Sequence, residues 1–376
     1  MKYLSRISRT IFWKLIVGLV ILTSLLYLKL EWIILIFAVM FILWVIYAEL
    51  MRRLRQSSFK IIFRSIYLAI SAVILSIGLK VLIVDFFIVP SVSMEDALSP
   101  GDVIIVNKLS YGPKLPQRLI EIPWLNMLFY LNKTAFGKYS KPWCGYIRLS
   151  GYDDIRRGDI FVYRLEDMFV VKRCVGLPGD KLAIVNGKVI VDNHLFTEPS
   201  TVKNDFVIDV YHAQKFYSKM MLINRHFLIH KGLIGNRFVV NLTYKELKDV
   251  RHLPEVKYIR LQTDFFNGLN KLFSDHSTNK WTLNNMGPII IPKKGMHITL
   301  TENNYPIYEK VIRTYETHDI RQENGHFFLY GKPLFDFVFK HNYFFVLGDN
   351  RRLSEDSRIK GFVIEKDIVG KTAAKF

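Results

Sequence analysis

The sequence changes character at Ile88-Val-Pro-Ser-Val-Ser-Met-Glu-Asp-Ala-Leu-Ser-Pro-Gly-Asp102, where long apolar segments give way to short β-type runs. Pro90 and the small residues after it favour an extended or turning backbone over a continued helix. Ser93 therefore follows an apolar segment by a few residues, on a backbone that can present its hydroxyl in a cleft. A serine in this setting is usually an ordinary loop residue, so a catalytic role for Ser93 has to be supported by other segments of the chain.

Long apolar segments precede this stretch, at about 11–28, 32–48 and 65–83. Each is long enough to cross a hydrocarbon core of roughly 30 Å as a helix. Basic residues cluster at 1–10 and 51–64, which predicts a cytoplasmic location for both and an outer location for the chain after residue 85. Because no small-x-small cleavage site follows the first segment, we interpret residues 1–85 as a membrane anchor and not as a removable signal peptide. The alternative is a buried helical hairpin in a soluble core.

The charge of the chain agrees with a membrane protein. Lys and Arg number 52 against 33 Asp and Glu, a net charge of +19, and residues 1–64 alone carry ten basic residues against Glu31 and Glu49. Nucleic-acid binding is one explanation of such a balance. However, the densest basic clusters flank the apolar segments, where positive charge faces the cytoplasm and anionic lipid. We therefore favour a bilayer as the partner and expect no nucleic acid. The two cysteines, Cys144 and Cys174, fit no zinc motif, and whether they pair stays open.

From residue 86 onward the pattern is typical of short strands rich in β-branched and aromatic residues. Asn186-Gly187 between two apolar runs predicts a type I′ hairpin. The pattern becomes mixed over 201–340 and returns to apolar β runs from Tyr343 to Ile364. These features predict a mainly β fold: a catalytic β domain formed by 86–200 and 341–376, with a large α+β insertion at 201–340 of unknown role.

Lys172 lies in the apolar run Phe169-Val-Val-Lys-Arg-Cys-Val-Gly-Leu-Pro-Gly-Asp180. Burial disfavours the charged form of a lysine and lowers its pKa. A neutral amine within hydrogen-bond reach of a serine can accept the hydroxyl proton and activate the oxygen, which gives a Ser-Lys dyad. Most strand lysines are simply solvated, and that alternative applies to Lys172 as well.

A third stretch, Gly348-Asp-Asn-Arg-Arg-Leu-Ser-Glu-Asp-Ser-Arg358, is dense in hydrogen-bonding groups. Ser354 could orient a buried amine, and Asp356 could pair with Arg358 to stiffen the loop. Alone, this stretch would be interpreted as a polar surface loop. Its spacing does not fit an EF-hand, so we expect no metal.

Together these segments resemble bacterial type I signal peptidases, membrane-bound leader peptidases of the Ser-Lys class. The resemblance rests on the order of five segments: Pro90-Ser-Val-Ser-Met94 with Gly101-Asp102, Arg157-Gly-Asp159, Lys172-Arg173, Gly176-Leu-Pro-Gly-Asp180, and Gly348-Asp-Asn-Arg351 with Ser354-x-Asp-Ser-Arg358. With the residues around them, at roughly 86–109, 157–184 and 344–371, the matching stretches cover about 80 of the 376 residues. The segment Asn284-Asn-Met-Gly-Pro288 is similar to Bacteroidetes-type members.

The resemblance implies a signal peptidase I of the inner membrane that removes signal peptides on the periplasmic side without a cofactor. Ser93 would be the nucleophile and Lys172 the general base, while the Ser93 N–H and the Ser91 hydroxyl would form the oxyanion hole. Ser354, Asp356 and Arg358 would support the site. Apolar pockets selecting small side chains at positions −1 and −3 of the cut would be lined by Val89, Met94, Leu98, Val162 and Val171. Preprotein signal peptides, the lipid bilayer and the secretion translocon would be the partners.

The chain also departs from the family pattern. Glu95-Asp-Ala97 stands where a proline-threonine pair is common, and Leu353 stands where an asparagine is usual. Two other functions stay open: a non-catalytic, membrane-anchored scaffold that binds exported chains, and a maturase dedicated to one secreted partner.

Overall fold

Three α-helices begin the chain in the computed structural model, which describes residues 2–53, 57–125, 127, 142–223, 236–262, 272–273, 281–317, 319–323 and 325–376. Helix α1 covers Lys2–Tyr27, α2 covers Glu31–Arg53 and α3 covers Ser57–Gly78. A π-helical turn over Leu79–Ile83 continues α3. Lys29, in the short turn between α1 and α2, has a positive φ of 56°.

Two of these helical segments are long and apolar enough to cross a membrane. They are Glu31–Arg53, with 23 residues, and Ser58–Ile83, with 26. No described side chain of α2 is buried against the protein, which is what an apolar helix in contact with lipid requires. In α1 the described apolar part, Phe12–Tyr27, is shorter. The second and third predicted segments are therefore helices of spanning length, and three spans remain a prediction.

The chain divides into two compact units. One comprises Met1–Phe86, Ile105–Asp154 and Val369–Ala373, and the other comprises Phe87–Ile104, Ile155–Ile368 and Ala374–Phe376. In the first unit, the buried Lys108 ammonium donates to Asp85 Oδ2 (2.9 Å) and to the carbonyl oxygen of Lys80 (2.6 Å). This contact fixes the chain where the helical segment ends.

Most of the regular secondary structure described in the second unit is β-strand. The strands of the chain are β1 Val84–Ile88, β2 Val103–Asn107, β3 Ile160–Leu165, β4 Met168–Gly176, β5 Lys181–Val185, β6 Lys188–Val191, β7 His194–Leu195, β8 Lys203–Val210, β9 Arg237–Thr243, β10 Val256–Leu261, β11 Met286–Ile290, β12 His297–Ile298, β13 Ile320–Glu323, β14 His326–Leu329, β15 Lys332–Leu334, β16 Phe337–Val338, β17 Tyr343–Leu347, β18 Val363–Ile364 and β19 Ile368–Lys375. Among the described residues, four further α-helices are α4 Ala213–Ile223, α5 Tyr244–Arg251, α6 Tyr305–Val311 and α7 Ser357–Lys360.

The sheets of the second unit are antiparallel. Strands β3, β4, β17 and β18 are consecutive neighbours in one sheet, and β11, β5, β6 and β7 form another. The hairpin predicted at Asn186-Gly187 is confirmed, because Val185 pairs with Lys188 and the two turn residues have φ values of 48° and 76°. The expected mainly β fold is confirmed.

The segment 201–340 contains two kinds of structure. Its first part, with the sheet β10-β8-β9 and helices α4 and α5, has a core of its own around Phe216 and Leu242. A capping box between Thr243 and Glu246 starts α5. Its later part, from β11 onward, shares a core with β5, β6 and β17 that includes Ile289. Asn324 lies outside the described residues, but β13 and β14 pair on either side of it.

Candidate active site

Ser93 lies in a short 3₁₀ turn, Val92–Met94, directly after the extended Ser91. Its side chain is only 5% exposed. The Asn350 N–H donates to the Ser93 carbonyl oxygen at 3.1 Å. Gly348 approaches the same oxygen so closely that a Cβ there would lie 2.5 Å from it, and 2.2 Å from Ser354 Oγ. The loop after β17 therefore needs glycine at 348 in order to pack against the serine.

Lys172 projects from the middle of β4, opposite Phe161 of β3. Its Nζ donates to Ser93 Oγ at 2.7 Å and to the Val171 carbonyl oxygen at 3.0 Å. The side chain is 4% exposed. Burial lowers the pKa of Lys172 to about 8, although the negative charges of Asp356, Asp349 and Glu355 oppose the shift. The two residues singled out from the sequence thus meet, and the lysine loses its proton more readily than a solvated one.

Ser91 also lies beside Ser93. Its Oγ is 3.1 Å from Ser93 Oγ, a distance at which either hydroxyl can be the donor. Unlike Ser93, Ser91 is exposed. A hydroxyl so placed can turn toward a group that approaches Ser93 from solvent.

The loop from Gly348 to Arg358 is fixed by a buried ion pair. Arg358 donates from Nε to Asp356 Oδ1 (2.8 Å) and from Nη2 to Oδ2 (2.9 Å). Burial alone would raise the pKa of Asp356, but Arg358 and the Gly348 N–H, which donates at 3.1 Å, hold it below its usual value. Asp356 also caps α7 through the Arg358 N–H. The predicted pairing of these two residues is therefore present.

Ser354 is buried next to Gly348, but no hydrogen bond joins it to Lys172 within the described part of the chain. Its hydroxyl lies near enough to Asp356 to help lower the pKa of that carboxyl. However, among the described residues its Oγ has no hydrogen bond of normal geometry. The structure thus places Ser354 close to the Ser93 main chain and leaves the predicted contact with Lys172 unformed.

Sequence reasoning missed a second buried pair at this site. Arg173 donates from Nε and Nη2 to the two carboxylate oxygens of Asp349 at 2.7 and 2.6 Å, and Thr201 donates to Asp349 Oδ2 at 2.6 Å. The strand alternation of β4 directs Arg173 and Lys172 to opposite faces. Arg173 therefore holds the loop after β17 from the other side of the sheet. In the sequence, the only hint of this pair was that Arg173 and Asp349 each stand in a segment that carries the family resemblance, as Lys172-Arg173 and Gly348-Asp349.

The five predicted pocket residues are all buried. Val162 and Val171 face each other across β3 and β4. The Asp349 N–H contacts the Met94 sulfur at 3.4 Å. The set is Val89 (2% exposed), Met94 (0%), Leu98 (3%), Val162 (1%) and Val171 (9%). Such burial fits strand core as well as the wall of a pocket, so their substrate contacts remain a prediction.

No group of three or more His, Cys, Asp or Glu side chains in the described residues could hold a metal ion. Cys144 and Cys174 are both free thiols. Burial raises the pKa of Cys174.

The family model and the relatives that match this chain all belong to one family. The family model "Signal peptidase, peptidase S26" matches residues 62–252 and 297–376. The chain is 26% identical over 296 residues to "Signal peptidase I" of Buchnera aphidicola subsp. Baizongia pistaciae, covering 78% of this chain and 69% of that protein. It is 25% identical over 316 residues to "Signal peptidase I" of Helicobacter pylori, covering 82% and 81%.

A further relative, "Signal peptidase I" of Pseudomonas fluorescens, is 31% identical over 137 residues, which cover 33% of this chain and 38% of that protein. The family match includes the segments that hold Ser93, Lys172 and the loop after β17. This chain therefore belongs to the signal peptidase family, peptidase S26, and is a serine-type peptidase.

Proposed function

We propose that this protein is a signal peptidase I, a membrane-bound endopeptidase that removes N-terminal signal peptides from exported preproteins through a Ser-Lys dyad. The observation that carries the proposal is the 2.7 Å distance between Lys172 Nζ and Ser93 Oγ. Both side chains are buried, and the pKa of Lys172 is lowered to about 8. A hydroxyl beside an amine that can be neutral near physiological pH is what a serine nucleophile needs.

In the first half of the reaction, neutral Lys172 accepts the Ser93 hydroxyl proton while Oγ attacks the carbonyl carbon of the peptide bond. The Ser93 N–H and the Ser91 hydroxyl stabilise the oxyanion of the tetrahedral intermediate. When the intermediate collapses, the C–N bond breaks and the Lys172 ammonium gives its proton to the departing amine. The mature protein leaves, and the signal peptide remains as an ester on Ser93.

In the second half, Lys172 accepts a proton from a water molecule that attacks this ester. The C–O bond to Ser93 then breaks and the proton returns to Oγ. The products are the signal peptide, with a free carboxyl group, and the original enzyme. Ser354, Asp356 and Arg358 support the loop that packs on Ser93, and the five buried apolar residues select small side chains at positions −1 and −3 of the cut.

We further propose that residues 1–85 anchor the enzyme in the inner membrane by several spans and that the catalytic domain, 86–200 with 341–376, acts on the periplasmic side. Helices of spanning length at Glu31–Arg53 and Ser58–Ile83 support the anchor. Preproteins, the bilayer and the secretion translocon are the partners in this proposal, and 201–340 is an insertion into the catalytic domain.

The test compares the full-length protein in liposomes with Ser93→Ala and Lys172→Met on a preprotein that carries Ala-x-Ala before its cut. Removal of either reacting group should lower the cleavage rate by about 10³-fold or more. Exposed residues provide matched controls, Ser218→Ala and Lys188→Met, which should cleave at the rate of the unchanged protein. Cleavage that survives Ser93→Ala would support the scaffold hypothesis, with the activity coming from another protein.

A further inference from the structure

The turn that follows Ser93 has a demanding backbone. Ala97 N–H donates to the Met94 carbonyl oxygen at 3.1 Å. Between them, Glu95 has φ −51° and ψ 146°, and Asp96 has φ +72°. These values are near those of a type II turn, whose third residue is usually glycine or asparagine because φ is positive. An aspartate there carries strain that the surrounding structure must offset.

A lysine from the start of β8 contacts both central residues of this turn. Lys203 Nζ lies 3.3 Å from Glu95 Oε2 and 3.1 Å from Asp96 Oδ2. Lys203 is 3% exposed, so its charge depends on these carboxylates for compensation. The two acids are adjacent in sequence and repel each other without a cation between them.

The main chain of Lys203 holds the other side of Ser93. Lys203 N–H donates to the Asp349 carbonyl oxygen at 2.8 Å, and Arg351 N–H donates to the Lys203 carbonyl oxygen at 3.1 Å. Asn350 lies between Asp349 and Arg351, and its N–H donates to the Ser93 carbonyl oxygen at 3.1 Å. One residue of the inserted segment thus fixes both stretches of chain that adjoin the serine.

Lys203 is itself held in a sheet. It pairs with Thr243 of β9, and β8 lies between β9 and β10. Two residues further along, Asp205 pairs with Arg352 at 2.8 Å, with both side chains about one-tenth exposed. The residue that clamps the turn is therefore part of a packed element.

We propose that Lys203 is a positioning residue for Ser93: it clamps the Glu95–Asp96 turn and the Asp349–Arg351 chain, and thereby fixes the Ser93 main chain. This proposal rests on the proposed function of Ser93. Its consequence is that the insertion contributes to catalysis through the geometry of the nucleophile and of the N–H that faces the oxyanion. Small displacements of such groups slow the chemical step more than they weaken substrate binding.

The experiment measures kcat and KM of the full-length protein in liposomes, together with its Tm. Lys203→Met should lower kcat about tenfold or more and change KM by less than about twofold. Lys188→Met, an exposed lysine on β6, is the matched control and should leave both constants unchanged. A Lys203→Met variant with the kcat of the unchanged protein would overturn the proposal.

A second background separates positioning from general stability. In Glu95→Gln/Asp96→Gly, glycine adopts the positive φ without strain, and no acid needs a counter-ion. In this background the buried Lys203 ammonium has lost both of its carboxylates, so adding Lys203→Met should lower kcat by no more than about twofold. A further tenfold loss there, as in the native background, would assign Lys203 a merely structural role and overturn the proposal. If Lys203→Met alone unfolds at the assay temperature, the test is the comparison of kcat between the triple variant and its Glu95→Gln/Asp96→Gly background.

Failure of the proposed function and failure of the positioning role of Lys203 would give different results. If the unchanged protein and Ser93→Ala cleave the preprotein equally, Ser93 is not the nucleophile. If Ser93→Ala is inactive while Lys203→Met equals the unchanged protein, only the positioning role is refuted.

Discussion

Lys172 combines two properties that rarely occur together in a lysine: it is buried, and its nitrogen is 2.7 Å from a serine hydroxyl. Loss of hydration disfavours its ammonium form, and the nearby carboxylates of Asp349 and Asp356 only partly restore it. With a pKa of about 8, about a tenth of the molecules hold a neutral amine at pH 7. In the proposed mechanism the neutral base is therefore a minor species at pH 7, but its nitrogen lies within hydrogen-bond distance of the Ser93 hydroxyl.

The buried pair Asp356–Arg358 should matter for stability, since neither side chain reaches water (0% and 3% exposed). Removing one member leaves an uncompensated buried charge. We predict that Arg358→Met lowers the free energy of unfolding by about 3–5 kcal/mol, measured by urea unfolding in detergent. The double variant Asp356→Asn/Arg358→Met should recover part of this loss.

The control for that measurement is Arg313→Met. Arg313 and Glu309 form an exposed pair one helical turn apart (3.0 Å, 44% and 38% exposed), so the change should stay within about 0.5 kcal/mol. A loss for Arg358→Met no larger than for Arg313→Met would mean that the Asp356–Arg358 pair does not stabilise the loop.

At the same scale, the sequence identified Ser93, Lys172 and the Asp356–Arg358 pair because each stands in a short ordered segment. It did not identify Arg173 as the partner of Asp349, 176 residues away, nor Lys203 as the partner of Glu95. Such contacts depend on strand register and on the path of the insertion. Local spacing carries no information about either.

At the scale of elements, strands such as Lys188–Val191 were predictable because β-branched residues alternate between turn formers. Strand β8 was missed. It begins Lys-Asn-Asp, which is typical of a loop, yet all three residues are buried. Their polar side chains are satisfied by residues from other segments, such as Arg352 for Asp205 and Glu95 for Lys203. Tertiary pairing thus outweighed local propensity in β8.

At the scale of the whole molecule, the proposed function requires that the proposed anchor place Ser93 and Lys172 on the outer side of the membrane. Basic residues such as Arg52 and Arg53 end the second helix, which favours a cytoplasmic location for that end. The segment after Ile83 then lies on the opposite side if the third helix spans the bilayer.

Cysteine labelling in intact spheroplasts tests this topology. In a Cys144→Ser/Cys174→Ala background, Lys188→Cys should react with a membrane-impermeant maleimide, whereas Arg53→Cys should react only after permeabilisation. Both side chains are exposed, so burial does not explain a difference between them. Labelling of Arg53→Cys in intact spheroplasts, with Lys188→Cys protected, would contradict the orientation.

The most direct test of the dyad is the pH dependence of kcat/KM for preprotein cleavage by the full-length enzyme, which reports the ionisation of the free enzyme. Below its pKa Lys172 carries a proton and cannot accept one, so activity should fall as pH decreases. We predict that kcat/KM rises about tenfold per pH unit up to about pH 8 and then levels off. A profile that is flat from pH 6 to 9, or one that rises only near the ordinary lysine value of 10.5, would contradict a neutral Lys172 as the base.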